Sequence, residues 1–157
     1  MMMAAPLAPF YPTPELVAVA WFGQRVAGLV SGQVATALPK DVTAWADQGF
    51  VQLTAIPNAV ADVDVPQWRR SVFQADYWAN TPGSAKPPWN LAARLPELVR
   101  EATGDPQSYG SAVVLPEGYL GARVQAVYFL SEPARVPDDP AGYARFTNDV
   151  AVDWVRA

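Results

Sequence analysis

Any chemistry in this chain has to come from groups other than imidazole or thiol, because the sequence contains no His and no Cys. That removes the usual general base near neutral pH, thiolate chemistry, disulfides and the common zinc ligands. Three acidic pairs stand out: Asp62 with Asp64, Asp138 with Asp139, and Asp149 with Asp153. Asp62 and Asp64 offer oxygen ligands to a cation, but the glycine and distal Glu of a calcium loop do not follow them. A solvated loop is the plainer reading. Asp138 and Asp139 lie between Pro137 and Pro140, where Asp starts a turn and Pro presets it. Asp149 and Asp153 share one face of a predicted strand, as a glycosidase pair would, but no pocket motif accompanies them. Trp68, Arg69 and Arg70 contain the adjacent basic pair. A nucleic-acid groove needs a wider basic patch interleaved with aromatics, so an ion pair with an acidic loop, within or between subunits, is favoured. No phosphate loop, nucleophile elbow or kinase signature is present. The sequence therefore predicts no catalytic, metal-binding or cofactor-binding residue, and a protein that is not an enzyme. A small enzyme using carboxylates or Tyr is the remote alternative.

The elements that would position these residues belong to an ordinary globular chain. Of 157 residues, 51% are hydrophobic and 17% charged, enough for one domain with a sizeable core. We read residues 1–157 as that domain, with 1–12 as an N-terminal arm. The net charge of -4 disfavours a protein that grips DNA and suits one past which DNA slides. The 16 prolines fall mainly between hydrophobic runs and read as stiff connections. The start lacks the basic region of a secretory signal. The most apolar run, 16–30, contains Gln24 and Arg25 and is too short to span a membrane.

A first helix is predicted over 13–30, with Thr13 as N-cap, Pro14 in the first turn and Gly32 as the left-handed residue after it. Leu16, Val19, Gly23, Val26 and Val30 form one stripe, yet Val17, Trp21, Phe22 and Leu29 lie elsewhere around the helix. Such a helix is either sunk in the core or covered by another subunit. Strands are predicted at 33–38, 50–56, 71–79, 122–130 and 143–156, with a short one at 112–115. In the third strand Phe73, Ala75 and Tyr77 share a face. In the 122–130 strand the shared face is Val124, Ala126, Tyr128 and Leu130. The last strand places Phe146, Val150, Val152 and Trp154 opposite Arg145, Thr147, Asp149 and Asp153. A second helix covers 89–102, kinked at Pro96. Segment 57–67 reads as a long hairpin arm and 131–142 as a Pro-rich loop. The order αβββαββ implies an α+β, two-layer domain: a mostly antiparallel sheet with two helices on one face. Trp45, Trp78, Trp89 and Trp154 are core fillers or interface anchors.

The run Arg69-Arg70-Ser71-Val72-Phe73-Gln74-Ala75-Asp76-Tyr77-Trp78-Ala79 resembles the RP-x-V-Q-V-D-x-W-A strand of tail terminator proteins of long-tailed, non-contractile phages. Ser71 replaces the expected Pro and Ala75 the expected Val. The loop Thr81-Pro82-Gly83-Ser84 and the helix from Asn90 to Ala102 are similar to those of actinobacteriophage members. The stretch from Leu38-Pro39-Lys40-Asp41 to Gly49-Phe50-Val51 looks like their first hairpin. The ending Pro137-Asp138-Asp139-Pro140-Ala141-Gly142-Tyr143-Ala144-Arg145-Phe146 looks like their PDD-x-x-G-x-A-R-F turn. The likeness spans residues 13–156 and rests on the order and spacing of these motifs.

The resemblance implies a tail terminator (tail completion) protein, a homohexamer ring on the last ring of tail tube protein. It ends tube growth and meets the head–tail connector and stopper proteins, while genomic DNA passes through the channel without specific binding. The implied location is the tail or neck of the virion, assembled in the host cytoplasm, with no membrane contact and no cofactor. Another neck component, an adaptor or stopper, is the alternative. The length and acidic, Pro-containing makeup of 57–67 and 131–142 make these the segments expected to reach neighbours. The expected subunit or partner interface residues are Asp62, Asp64, Trp68, Arg69, Arg70, Arg135, Asp138 and Asp139.

Overall fold

The computed structural model describes residues 9–57 and 68–157. Asp62 and Asp64, nearly all of the expected arm 57–67, and most of the expected arm 1–12 lie outside the described residues. The elements run in the order helix α1 (Pro14–Arg25), strands β1 (Val34–Ala35), β2 (Phe50–Ala55) and β3 (Trp68–Ala79), and helix α2 (Trp89–Thr103). Strands β4 (Ala112–Val113), β5 (Ala122–Phe129), β6 (Ala134–Val136) and β7 (Ala144–Arg156) follow. The sheet order is β1-β2-β3-β7-β5-β4, and β6 also pairs with β7. All pairings are antiparallel except β1 with β2. This is the α+β architecture expected from the sequence, with more strands than expected. Strand β6 lies in the segment expected to be an irregular loop. Pro133 and Pro137 bracket it, and proline is tolerated where an N–H can face away from the sheet. Because β1 and β2 are parallel, the stretch from Leu38 to Val51 is part of a crossover and not a hairpin. Residues 36–49 supply the dozen or so residues that a parallel connection needs.

Both helices pack on the sheet face that carries Phe73, Ala75, Tyr77, Val150, Val152 and Trp154. Helix α1 touches β1 and β2 near one border of the sheet and β4 and β5 at the other, so the sheet curls around it. This geometry accounts for a helix apolar on several sides. Val17, Ala18, Trp21 and Phe22 are fully buried, and the Trp21 indole N–H donates to the Ser108 carbonyl at 2.9 Å. The expected stripe is corrected: Leu16, Val19 and Gly23 are half-buried and Val30 is exposed, while the 17/18/21/22 face points inward.

Thr13 caps α1 as expected, accepting from the Leu16 N–H. The helix ends at Arg25 instead of continuing to residue 30, because Val26 turns extended and Gly28 adopts a φ of 89°. Gly28, and not Gly32, is thus the left-handed residue. Helix α2 continues through Pro96 without the bond that residue 96 cannot donate.

Strand β3 alternates as expected. Strand β5 does not: its register against β7 shifts between Val124 and Ala126. The bulge inverts the alternation beyond it, so Val127 and Phe129 turn to the core and Leu130 is exposed. The expected shared face of Ala126, Tyr128 and Leu130 with Val124 is corrected accordingly. Along β7, Tyr77 donates from its hydroxyl to buried Asn148 at 2.9 Å, and the Asn148 amide N–H reaches the Ser131 carbonyl. Burial pushes the Tyr77 hydroxyl far above the usual tyrosine range.

Candidate assembly surfaces

The sheet face away from the helices carries the charged groups, because residues two apart on a strand share a face. On β3 this face holds charged Arg70 and Asp76 with Gln74 and Trp78 beside them; on β7 it holds Arg145, Asp149 and Asp153. Register places Arg70 opposite Asp153 and Trp78 opposite Arg145. Arg70 Nε donates to Asp153 Oδ1 at 3.0 Å. Arg145 reaches Asp76 Oδ1 through Nε at 2.9 Å and Nη2 at 2.8 Å, and Gln74 adds its amide N–H to both Asp76 oxygens. The Arg145 guanidinium also lies 5.0 Å from the Trp78 ring centre, and the Trp78 N–H donates to Gln52. Asp76 and Asp153 are nearly inaccessible to solvent, so these pairs satisfy carboxylates that would otherwise be buried and unpaired.

The expected interface residues fall into two groups. Trp68, Arg69 and Arg70 begin β3, and Arg69 and Arg70 face opposite sides of the sheet. Arg70 is engaged by its own chain's Asp153. Arg135, Asp138 and Asp139 lie at the other end of β7: Arg135 pairs with Phe146, seven residues from Asp153, a separation of roughly 23 Å. The Arg135 guanidinium stacks 4.2 Å from the Trp89 ring centre. Asp138 holds a φ of 63°, and Asp139 accepts from the Ala141 N–H through its side chain and from the Gly142 N–H through its carbonyl. That is the turn read from the sequence.

Of the acidic pairs considered for chemistry, Asp62 and Asp64 lie outside the described residues. Asp149 and Asp153 stand about 13 Å apart along β7, beyond the separation that glycosidase carboxylates use. Among the described residues no cluster of acidic side chains could hold a metal ion. A cleft of about 590 Å³ at the start of α2 is lined by Thr81, Ser84, Lys86, Trp89 and Leu91 among others, and Lys86 is the one ionisable side chain among the described residues that line it. No helix among the described residues is long and apolar enough to cross a membrane.

The borders of the sheet differ from one another. At β4, the Gln24 amide of α1 donates to the Val114 carbonyl at 2.7 Å and accepts from the Val114 N–H at 2.8 Å. Arg25 donates to the Ala112 carbonyl and the Ser111 hydroxyl. Two helix side chains thereby take the place of a neighbouring strand. By contrast, among the described residues, 36–38 beyond β1 make no backbone hydrogen bond, and β6 has none outside its pairing with β7. Phe10 adds one parallel bridge, pairing with Gly118 and Leu120 on either side of Tyr119. Sequence reasoning missed the Gln24 and Arg25 contacts. The only signal was the presence of two polar residues at the end of an otherwise apolar run.

This fold has a counterpart among solved structures. A chain in the solved structure described as the virion of a native gene transfer agent (GTA) particle matches with a TM-score of 0.51. The match covers 91% of this chain and 96% of that one, at 21% sequence identity. No protein-family model and no curated protein matches the sequence. At this identity the likeness establishes a shared fold.

Proposed function

We propose that this chain is a structural, non-enzymatic protein of a phage-like virion, and that it forms a ring closing the head-proximal end of the tail tube. The supporting observation is the fold shared over nearly the full length of both chains with a component of a GTA virion. The ordered motifs from Arg69 to Ala79 and from Pro137 to Phe146 point in the same direction. The geometry suits such work. The buried carboxylates Asp76 and Asp153 of the helix-free face are paired within the chain, while among the described residues two strand borders have no neighbour. The acidic balance lets DNA pass without being held. In this reading the partners are further copies of the chain, the tail tube protein and the head-side neck proteins.

The test is electron microscopy of particles from a virus lacking this gene. Overlong tails without heads are expected. Filled heads without tails would instead place the chain elsewhere in the neck, as an adaptor or stopper. Complete, infectious particles would refute both. Residues 57–67 are assigned to contacts with a neighbour, and Asp62 and Asp64 with them. Deleting residues 59–65 is expected to abolish ring formation and leave the thermal unfolding of the domain within a few degrees of the parent. Normal tails from that deletion would reject the assignment.

A further inference from the structure

Pairing register carries one row of residues straight across the sheet. Val34 and Ala35 of β1 sit beside Val51 and Gln52 of β2, then Tyr77 and Asp76 of β3. Phe146 and Thr147 of β7 come next, and Arg135 and Ala134 of β6 end the row. Among the described residues no strand pairs with the outer side of either end of this row, where the one local bond is from the Val34 N–H to the Ser31 carbonyl. The third border, β4, is occupied by Gln24 and Arg25. Unpaired borders invite strand addition, and proteins normally block them. Here the blocked border lies off the row and the two open ones lie on it, facing in opposite directions.

From this arrangement we infer that β6 of one copy pairs with β1 of the next, so that a single sheet runs through successive subunits. The inference rests on the ring reading above and names its junction. The occupant of each open border is a second copy, because the two borders are different surfaces, as a head-to-tail contact requires. Strand directions agree. Strand β1 runs with β2 and against β3; β6 runs against β7, which itself runs against β3. Strands β1 and β6 are therefore opposed, and rotation about an axis along the strands brings them together antiparallel. The prolines set the extent. Pro133 and Pro137 have no N–H, so pairing is confined to the three residues of β6, and Pro39 limits the other side. On the helix-free face the junction brings Ala134 beside Ala35, two small side chains that permit close approach.

The chain lacks Cys, which makes the junction directly testable. The double variant Ala35→Cys with Ala134→Cys is mildly oxidised and run on a non-reducing gel. A second pair, Ala37→Cys with Ala134→Cys, covers a two-residue shift of register. Within one chain, positions 35 and 134 are four strand spacings apart, roughly 19 Å, so an internal disulfide is excluded. The expected result is a ladder of covalent multimers ending in a closed ring, with each single variant stopping at dimers. Light scattering on the reduced proteins separates the two failures. Rings that give no ladder with either pair would overturn the junction and leave the ring reading intact. A chain that stays monomeric and unlinked, alone and with tube protein, would overturn both.

Discussion

Arg145→Ala is the most informative single change on the helix-free face. In the parent, Asp76 has a side chain 6% exposed and receives two guanidinium nitrogens within 2.9 Å on one oxygen. Removing one partner of a buried ion pair costs about 3–5 kcal/mol, because the other charge stays behind without compensation. Two features reduce that figure. Arg145 is itself 27% exposed, and the Gln74 amide continues to donate to Asp76. The expected loss is about 2–3 kcal/mol, including the lost contact with the Trp78 ring. For a chain of this length that corresponds to a fall in Tm of roughly 4–12 °C, read by circular dichroism. Asp76→Asn removes the charge that needs a partner, so the double variant is expected to recover at least about 1 kcal/mol relative to additivity. Urea unfolding of the four proteins gives the coupling. If Arg145→Ala costs less than about 0.5 kcal/mol and the cycle is additive, the carboxylate is not held as described.

Three further outcomes follow from particular contacts. Gly49→Ala introduces a Cβ at a φ of 80°, 2.7 Å from a Leu95 methyl and 3.2 Å from the Trp78 carbonyl oxygen, and should cost about 2–4 kcal/mol in urea unfolding. Gln24→Ala should cost about 1 kcal/mol and, by exposing the Val114 backbone, raise the concentration-dependent aggregation seen by light scattering; unchanged solubility would show that the amide does not protect this border. Tyr77 and Tyr109 both have folded pKa values raised, chiefly by burial. Their contribution is complete below the unfolded tyrosine value near 10 and declines as pH rises above it, since only the unfolded chain releases those protons. Tyr77→Phe should therefore flatten the alkaline loss of stability in pH-dependent melts, while lowering stability at neutral pH through the unpaired Asn148 oxygen.

The parts of this fold legible in the sequence were those where local chemistry and tertiary packing agree. Thr13 followed by Pro14 marked the start of α1, and the alternation Phe73, Ala75, Tyr77 marked the buried face of β3. The turn at Asp138 and Asp139 was readable because its side-chain bonds are local. Failures occurred where a distant neighbour decides. The bulge after Val124 depends on pairing with β7, and nothing in the residues of β5 announces it. The inward face of α1 was misassigned because the helix has apolar residues on several sides, and only the curl of the sheet selects Val17, Ala18, Trp21 and Phe22. Strand β6 was hidden by its prolines, which usually signal irregular chain. At the candidate surfaces, Arg70 was expected to seek an acidic loop; its partner among the described residues is Asp153, 83 positions along the chain.

Helix α1 has a consequence for how the protein is made. It leaves the ribosome before the segments that cover it, and the carbonyl that receives its Trp21 N–H belongs to a residue 87 positions later. At synthesis rates of about 5–20 residues per second, that delay is roughly 4–17 s. Throughout that interval Val17, Trp21 and Phe22 have no final resting place, and the nascent chain offers its stickiest segment to whatever is nearby. Yield in a host should therefore depend on chaperone supply and on translation speed over those 87 codons more than on the stability of the finished molecule.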